Sequence, residues 1–179
     1  MKQLAVIIVA TLASVAGAFA ADRIYTNPKP DAALKQLFPS AGGFSPLSGT
    51  PLRYNVYAQD PAKTPNQQPV GYAFWTTDMV PNEHGYHGPI HMLVGMGLNG
   101  VLTGVVVDYH SEPYGYFSVE PKEFAAQFTN KSIRDAFRVG GDIDAVSRAT
   151  LSINSATRAV RDASRQIARA LLDPNAVKK

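Results

Sequence analysis

"IHMLVGMGLNGVLTGVVVDYH", residues 90–110, consists of two apolar runs separated by Asn99-Gly100. Apolar runs of this length, rich in β-branched residues, read as strands. An Asn-Gly step between them supplies the positive φ values that a type I′ hairpin turn requires. The pattern predicts that Ile90–Met96 and Val101–Tyr109 pair as antiparallel neighbours. A period of two then places Val101, Thr103, Val105, Val107 and Tyr109 on one face and Leu102, Val106 and Asp108 on the other. Gly104 would allow another backbone to approach closely.

Working upstream, "VGYAFWTTD" (70–78) and "LRYNVYAQ" (52–59) are further strand candidates, with Tyr54, Val56 and Ala58 on one face. A Pro/Asn/Gln loop over 60–69 separates them. Residues 21–50 read as irregular apart from a short helix over Asp31–Phe38, ended by Pro39. Downstream of 120 the period becomes helical. Pro121 suits a first helical turn before Phe124, Ala125 and Phe128, and Ile133, Ala136 and Phe137 form a second apolar cluster. "RVGGDIDAVS" (138–147) reads as a turn with a short strand. Ile153, Ala156, Val160, Ala163, Ile167 and Leu171 then mark one stripe of a long amphipathic helix beginning near Ser152. Asp173-Pro174 stops it. The expected fold is α+β: a central antiparallel sheet, flanking helices and a long C-terminal helix. One domain spans 51–173, followed by a tail at 174–179.

Composition narrows the chemistry. At 179 residues, 45% hydrophobic and 17% charged, the chain is an ordinary globular protein with a real core. A net charge of +3 without any Lys/Arg run argues against nucleic acid as a partner. Residues 1–20 have the form of a cleavable signal peptide: Lys2, an apolar segment, then Ala18-Phe19-Ala20. The expected mature start is Ala21 and the expected location the periplasm. The chain contains no cysteine. Disulfides, thiol chemistry and cysteine-held clusters or zinc are thereby excluded.

Three constellations remain. No G-x-S-x-G or S-x-x-K occurs, and the hydroxyl-rich stretch 142–160 has no nearby histidine, so a hydrolase nucleophile would need a distant base. His84, His87 and His91, spaced H-x2-H-x3-H, with His110 on the adjoining strand, form a weak metal set or the polar rim of a cleft. The third is "DIDAVSRATLSINSATRAV" (142–160), which gathers Ser147, Thr150, Ser152, Asn154, Ser155 and Thr157 around Arg148 and Arg158. A helix starting there offers free N–H groups and a positive dipole end to an anion such as a phosphate at Thr150. Equally, Ser147 or Ser152 is a plain N-cap. The residues alone leave these two readings open.

"DAVSRATLS" (144–152) resembles the flavinylation motif of the FMN-binding domain family, D-x-x-S/T-G-A-T-x-S/T, through Asp144, Ser147, Ala149, Thr150 and Ser152. Arg148 stands where the family has Gly, a position wanted for backbone conformation or for close approach of another protein. The motif is shared by the flavinylated subunit of the sodium-pumping NADH:quinone reductase and its Rnf counterpart. Residues 71–117 are similar to the periplasmic flavin domain of NosR and NirI, notably at Gly85-Tyr86-His87-Gly88-Pro89-Ile90 and at His110-Ser111-Glu112-Pro113. The likeness covers roughly 52–170.

It implies FMN in phosphoester linkage to Thr150, installed by a flavin transferase, in a chain that is the flavin domain alone. Tyr86, Glu112, Pro113, Tyr114 and Tyr116 are the expected neighbours of the flavin, because an isoalloxazine plate needs aromatic and apolar walls. The implied function is a periplasmic electron carrier rather than a stand-alone enzyme, with protein donors and acceptors in the periplasm or inner membrane. The alternatives are a non-covalent flavin-binding or regulatory module of a respiratory or metalloenzyme-maturation system, and a histidine-based metal-binding protein.

Overall fold

Within residues 30–177, which the computed structural model describes, five strands form one antiparallel sheet in the order β1-β2-β3-β4-β5. They are β1 (Gly43–Phe44), β2 (Tyr54–Tyr57), β3 (Gly71–Trp75), β4 (His91–Gly97) and β5 (Leu102–Tyr109). Tyr72 and Phe74 lie opposite Met96 and Val94, and these side chains build one core. Ala73, Trp75 and Leu93 point the other way and pack with Tyr54 and with Leu34 and Leu37 of α1 (Asp31–Leu37). Both faces of the sheet centre are therefore covered, which is why β3 and β4 read as continuous apolar runs. Across the first face lies α5 (Thr150–Leu171), burying Ile153, Ala156, Val160, Ala163 and Ile167 in the expected stripe. Short helices α2 (Thr76–Met79), α3 (Gly115–Ser118) and α4 (Lys122–Ala126) fill the connections. The expected leader, 1–20, lies outside the described residues. Among those described, no helix is long and apolar enough to cross a membrane.

The hairpin is present, but its turn is not type I′. Gly100 has φ +73 while Asn99 is not in the positive region. The Gly100 N–H donates to the Gly97 carbonyl at 3.0 Å and the Gly97 N–H to the Val101 carbonyl at 2.9 Å. This is the three-residue loop, a type I turn closed by one left-handed residue. Only Gly100 needs its glycine. A Cβ there would also sit 3.0 Å from Val177 Cγ1 and 3.3 Å from Ile133 Cγ1. Gly100→Val should therefore cost about 2 kcal/mol, from left-handed strain plus crowding. An unchanged midpoint in urea unfolding would contradict this.

Other expectations shift for local reasons. Gly95 pairs with Gly104 but Met96 with Leu102, and His91 with Tyr109 but Met92 with Val107, so Thr103 and Asp108 are bulge residues. Each bulge flips the alternation. Leu102 consequently joins Val105 and Val107 on the α5 side, while Val106 packs toward α1. The third strand ends at Trp75, not at 78, because the Thr76 side chain turns the chain: it donates to the Ile90 carbonyl and accepts the Met92 N–H, both at 3.2 Å. Over 138–147 the strand reduces to a single Val139–Ile143 bridge. Residues 43–44, within the stretch expected to be irregular, add an edge strand.

Candidate functional site

Glu112 organises the loops at the end of β5. It is 6% exposed, and its carboxylate accepts the N–H groups of Tyr86 (2.8 Å), His87 (2.9 Å) and Gly88 (3.2 Å). From the other side it accepts the hydroxyl of Ser152, in the first turn of α5. A Cβ on Gly85 would sit 2.6 Å from Glu112 Oε1, so that residue must lack one for the loop to wrap the carboxylate. Burial alone would push the Glu112 carboxyl up. The Ser152 hydroxyl and the three backbone donors outweigh it and hold the group below its ordinary value. One carboxylate thus ties the 85–88 loop, the 110–114 loop and the start of α5 together.

His110 supports this junction. Its Nδ1 accepts the Glu112 N–H at 3.1 Å and its Nε2 lies 3.1 Å from Glu120 Oε1. Its ring also occupies the space that a side chain on Gly115 would need.

The α5 start carries no side-chain cap. Its N-cap is Ala149, and Thr150 is the first helical residue, two positions earlier than expected. Neither Ser147 nor Ser152 caps it: Ser147 is exposed and Ser152 is committed to Glu112. The first N–H groups of the helix therefore have no side-chain cap, and its positive dipole end lies at the exposed Thr150. Arg148, also exposed, has φ +67, in the left-handed region where the motif's usual Gly is at ease. Ala149 is buried and anchors the turn. Asp144 is exposed, with its N–H donated to Gln127 Oε1 at 2.7 Å.

Arg158 does not serve this end. It lies two turns on, about 12 Å along the axis, and grips Glu83 through two bonds of 2.7 and 3.2 Å. Exposed aromatic surface does gather at the junction: Tyr86, Tyr114 and Tyr116 are 66%, 47% and 68% exposed, with Tyr114 and Tyr116 packed on Phe117. Pro113 is exposed on the same loop. Sequence reading missed Leu151, 61% exposed beside Thr150. Its signal was present, since position 151 falls off the 153/156/160 stripe.

The four histidines are not gathered. His91 is buried on β4, stacked on Trp75 at 4.2 Å and bonded through Nδ1 to Thr77 Oγ1 at 2.6 Å. Burial lowers its pKa, with the Asp108 carboxylate 3.8 Å away acting the other way. His84 and His87 are exposed, and His110 is engaged as described. Among the described residues no three His, Asp or Glu side chains come together as a metal set. The sequence's weak metal grouping separates because the strand turns His91 into the core.

An uncapped helix end, a free hydroxyl, a neighbouring guanidinium and a rim of exposed aromatics suit a ligand with a phosphate at one end and a flat ring at the other. Comparison with known proteins agrees. Residues 85–165 match the model of the FMN-binding domain, a span that opens at the Gly85 loop and runs through the Thr150 turn into α5. The chain is also similar to a subunit of the ion-translocating oxidoreductase complex of Methanosarcina acetivorans, 29% identical over 140 residues, covering 73% of this chain and 71% of that one. The matched span contains the Glu112 junction, the open helix end and the exposed tyrosines, and over it the chain carries an FMN-binding domain.

Proposed function

We propose that the chain is an exported electron-transfer flavoprotein whose FMN is joined by a phosphoester to the Thr150 Oγ. The observation that carries the linkage is the Thr150 hydroxyl itself, exposed as the first residue of a 22-residue helix with no side-chain cap. A phosphate there would meet N–H groups that no side chain caps, the dipole end and Arg148, the dipole term being worth roughly 0.3–1 kcal/mol. Tyr86, Tyr114, Tyr116 and Leu151 supply the aromatic and apolar surface for the ring. Glu112 positions three of the participating segments without itself facing outward.

With no cysteine in the chain, the flavin would be its redox group, and electrons would pass between proteins. The likeness to the Methanosarcina acetivorans protein, which works within an oxidoreductase complex, supports protein partners of that kind. A flavin transferase is the partner needed for attachment. Export to the periplasm rests on the 1–20 pattern and its Ala-x-Ala end.

Intact mass of protein produced with a flavin transferase tests both parts. The expected species begins at Ala21 and carries one FMN-sized increment, and its yellow fluorescence stays with the polypeptide after acid denaturation. Flavin released by acid would favour a non-covalent holder. A mass beginning at Met1 would mean an uncleaved leader.

A further inference from the structure

A groove of about 380 Å³ lies against the last turns of α5. Arg165, within it, is about 22 Å down the helix axis from Thr150. Apolar wall comes mainly from Ile133, Leu172 and Val177, three arginines (Arg134, Arg165 and Arg169) also line the groove, and no Asp or Glu among the described residues does. Its volume falls in the range of small-ligand sites.

Arg165 is held in place from one side. Its Nε donates to the Ile133 carbonyl at 2.9 Å and its Nη2 to the Asp135 carbonyl at 2.8 Å. The remaining nitrogen, Nη1, keeps its donors. Arg134 makes a single long contact, 3.5 Å to the Pro174 carbonyl. Among the described residues none of the three arginines has a carboxylate within ion-pair distance. The C-terminal dipole of α5 accounts for a cation at Arg169, in its last turn. It does not account for Arg134, which comes from a separate segment, or for the rigid seating of Arg165. Three like charges beside apolar surface repel one another and present a positive field that an anion relieves. A guanidinium already fixed in orientation binds an oxyanion with little further ordering cost.

We propose that this groove binds an amphipathic anion, a carboxylate or phosphate head on an apolar chain. The head lies on Arg165 and its two neighbours, and the chain lies along Ile133, Leu172 and Val177. Such a molecule comes either as a free fatty acid or as an acidic phospholipid in a membrane.

Calorimetry with laurate below its micelle concentration, with dodecanol as the neutral control, tests the first source. Co-sedimentation with phosphatidylglycerol vesicles, against phosphatidylcholine, tests the second. We expect one laurate per chain and no dodecanol, with Arg165→Gln and Arg169→Gln each weakening affinity about tenfold. Sedimentation with phosphatidylglycerol alone, reduced by the same substitutions, would support the groove and assign its anion to a membrane lipid. Arg165→Gln also removes two bonds to the fold, so the exposed Arg169→Gln serves as the second variant. Binding to neither probe overturns the proposal, and so does unchanged binding in a variant that melts like wild type. Flavin content is unaffected in every case, which keeps this test separate from that of the Thr150 linkage.

Discussion

Thr150→Ala, produced with a flavin transferase, is expected to carry no FMN-sized adduct while unfolding within about 0.5 kcal/mol of wild type. The fold tolerates the change because the Thr150 side chain is exposed and packs in neither core. Alanine is also a better helix former than threonine. The proposed modification does not tolerate it, because in that linkage the phosphorus would be bonded to this hydroxyl oxygen. Ser152→Ala gives the opposite pattern. It keeps the Thr150 hydroxyl but strips a buried donor from Glu112, so the adduct should persist and stability should fall by about 1–2 kcal/mol. Arg148→Gly relieves a side chain held at φ +67 and should retain the adduct. Mass spectrometry of the three variants decides among them. An adduct surviving on Thr150→Ala would assign the linkage to another hydroxyl.

Glu112→Ala should be the most destabilising single change at this site, by about 3–5 kcal/mol. It removes the shared acceptor of Tyr86, His87, Gly88 and Ser152 together. Each orphaned donor that stays dry costs about 1–3 kcal/mol, with partial relief where water enters. The 85–88 loop and the helix start would lose their common tie, so flavin content should fall as well. Glu112→Gln should be intermediate: the amide keeps one oxygen but turns an NH₂ toward backbone donors. The acid dependence has the matching sign. A carboxyl held below its ordinary value in the folded state stabilises fully above its unfolded pKa. That contribution disappears as pH falls through the folded value. Wild type should therefore lose more stability on acidification than Glu112→Gln. Equal acid slopes in urea unfolding would remove Glu112 from this role.

Much of the architecture was legible because local periodicity reports burial. The 153/156/160/163/167 stripe specified the face of α5 that meets the sheet, and the paired apolar runs around Asn99-Gly100 specified β4 and β5. The linear frame around Thr150 stands in the sequence as well, where it suggests the proposed attachment without tertiary information. Bulges were not. Thr103 and Asp108 are ordinary strand residues in a linear pattern, and only pairing with β4 makes them extra. The turn type was likewise undecided until the Gly97 and Val101 backbones met.

The site shows the same division. By itself the sequence determined the chemistry on offer: a hydroxyl at Thr150, aromatics at 86, 114 and 116, and no thiol anywhere. Only the tertiary structure decided which groups are free to use it. It turned Glu112 inward as a strut, paired Arg158 with Glu83 and placed His91 against Trp75. It also left the start of α5 without a cap. The physical reason is that a polar group's role depends on whether a partner arrives to satisfy it. For Glu112 and Ser152 that partner lies 40 residues away, beyond the reach of any local pattern.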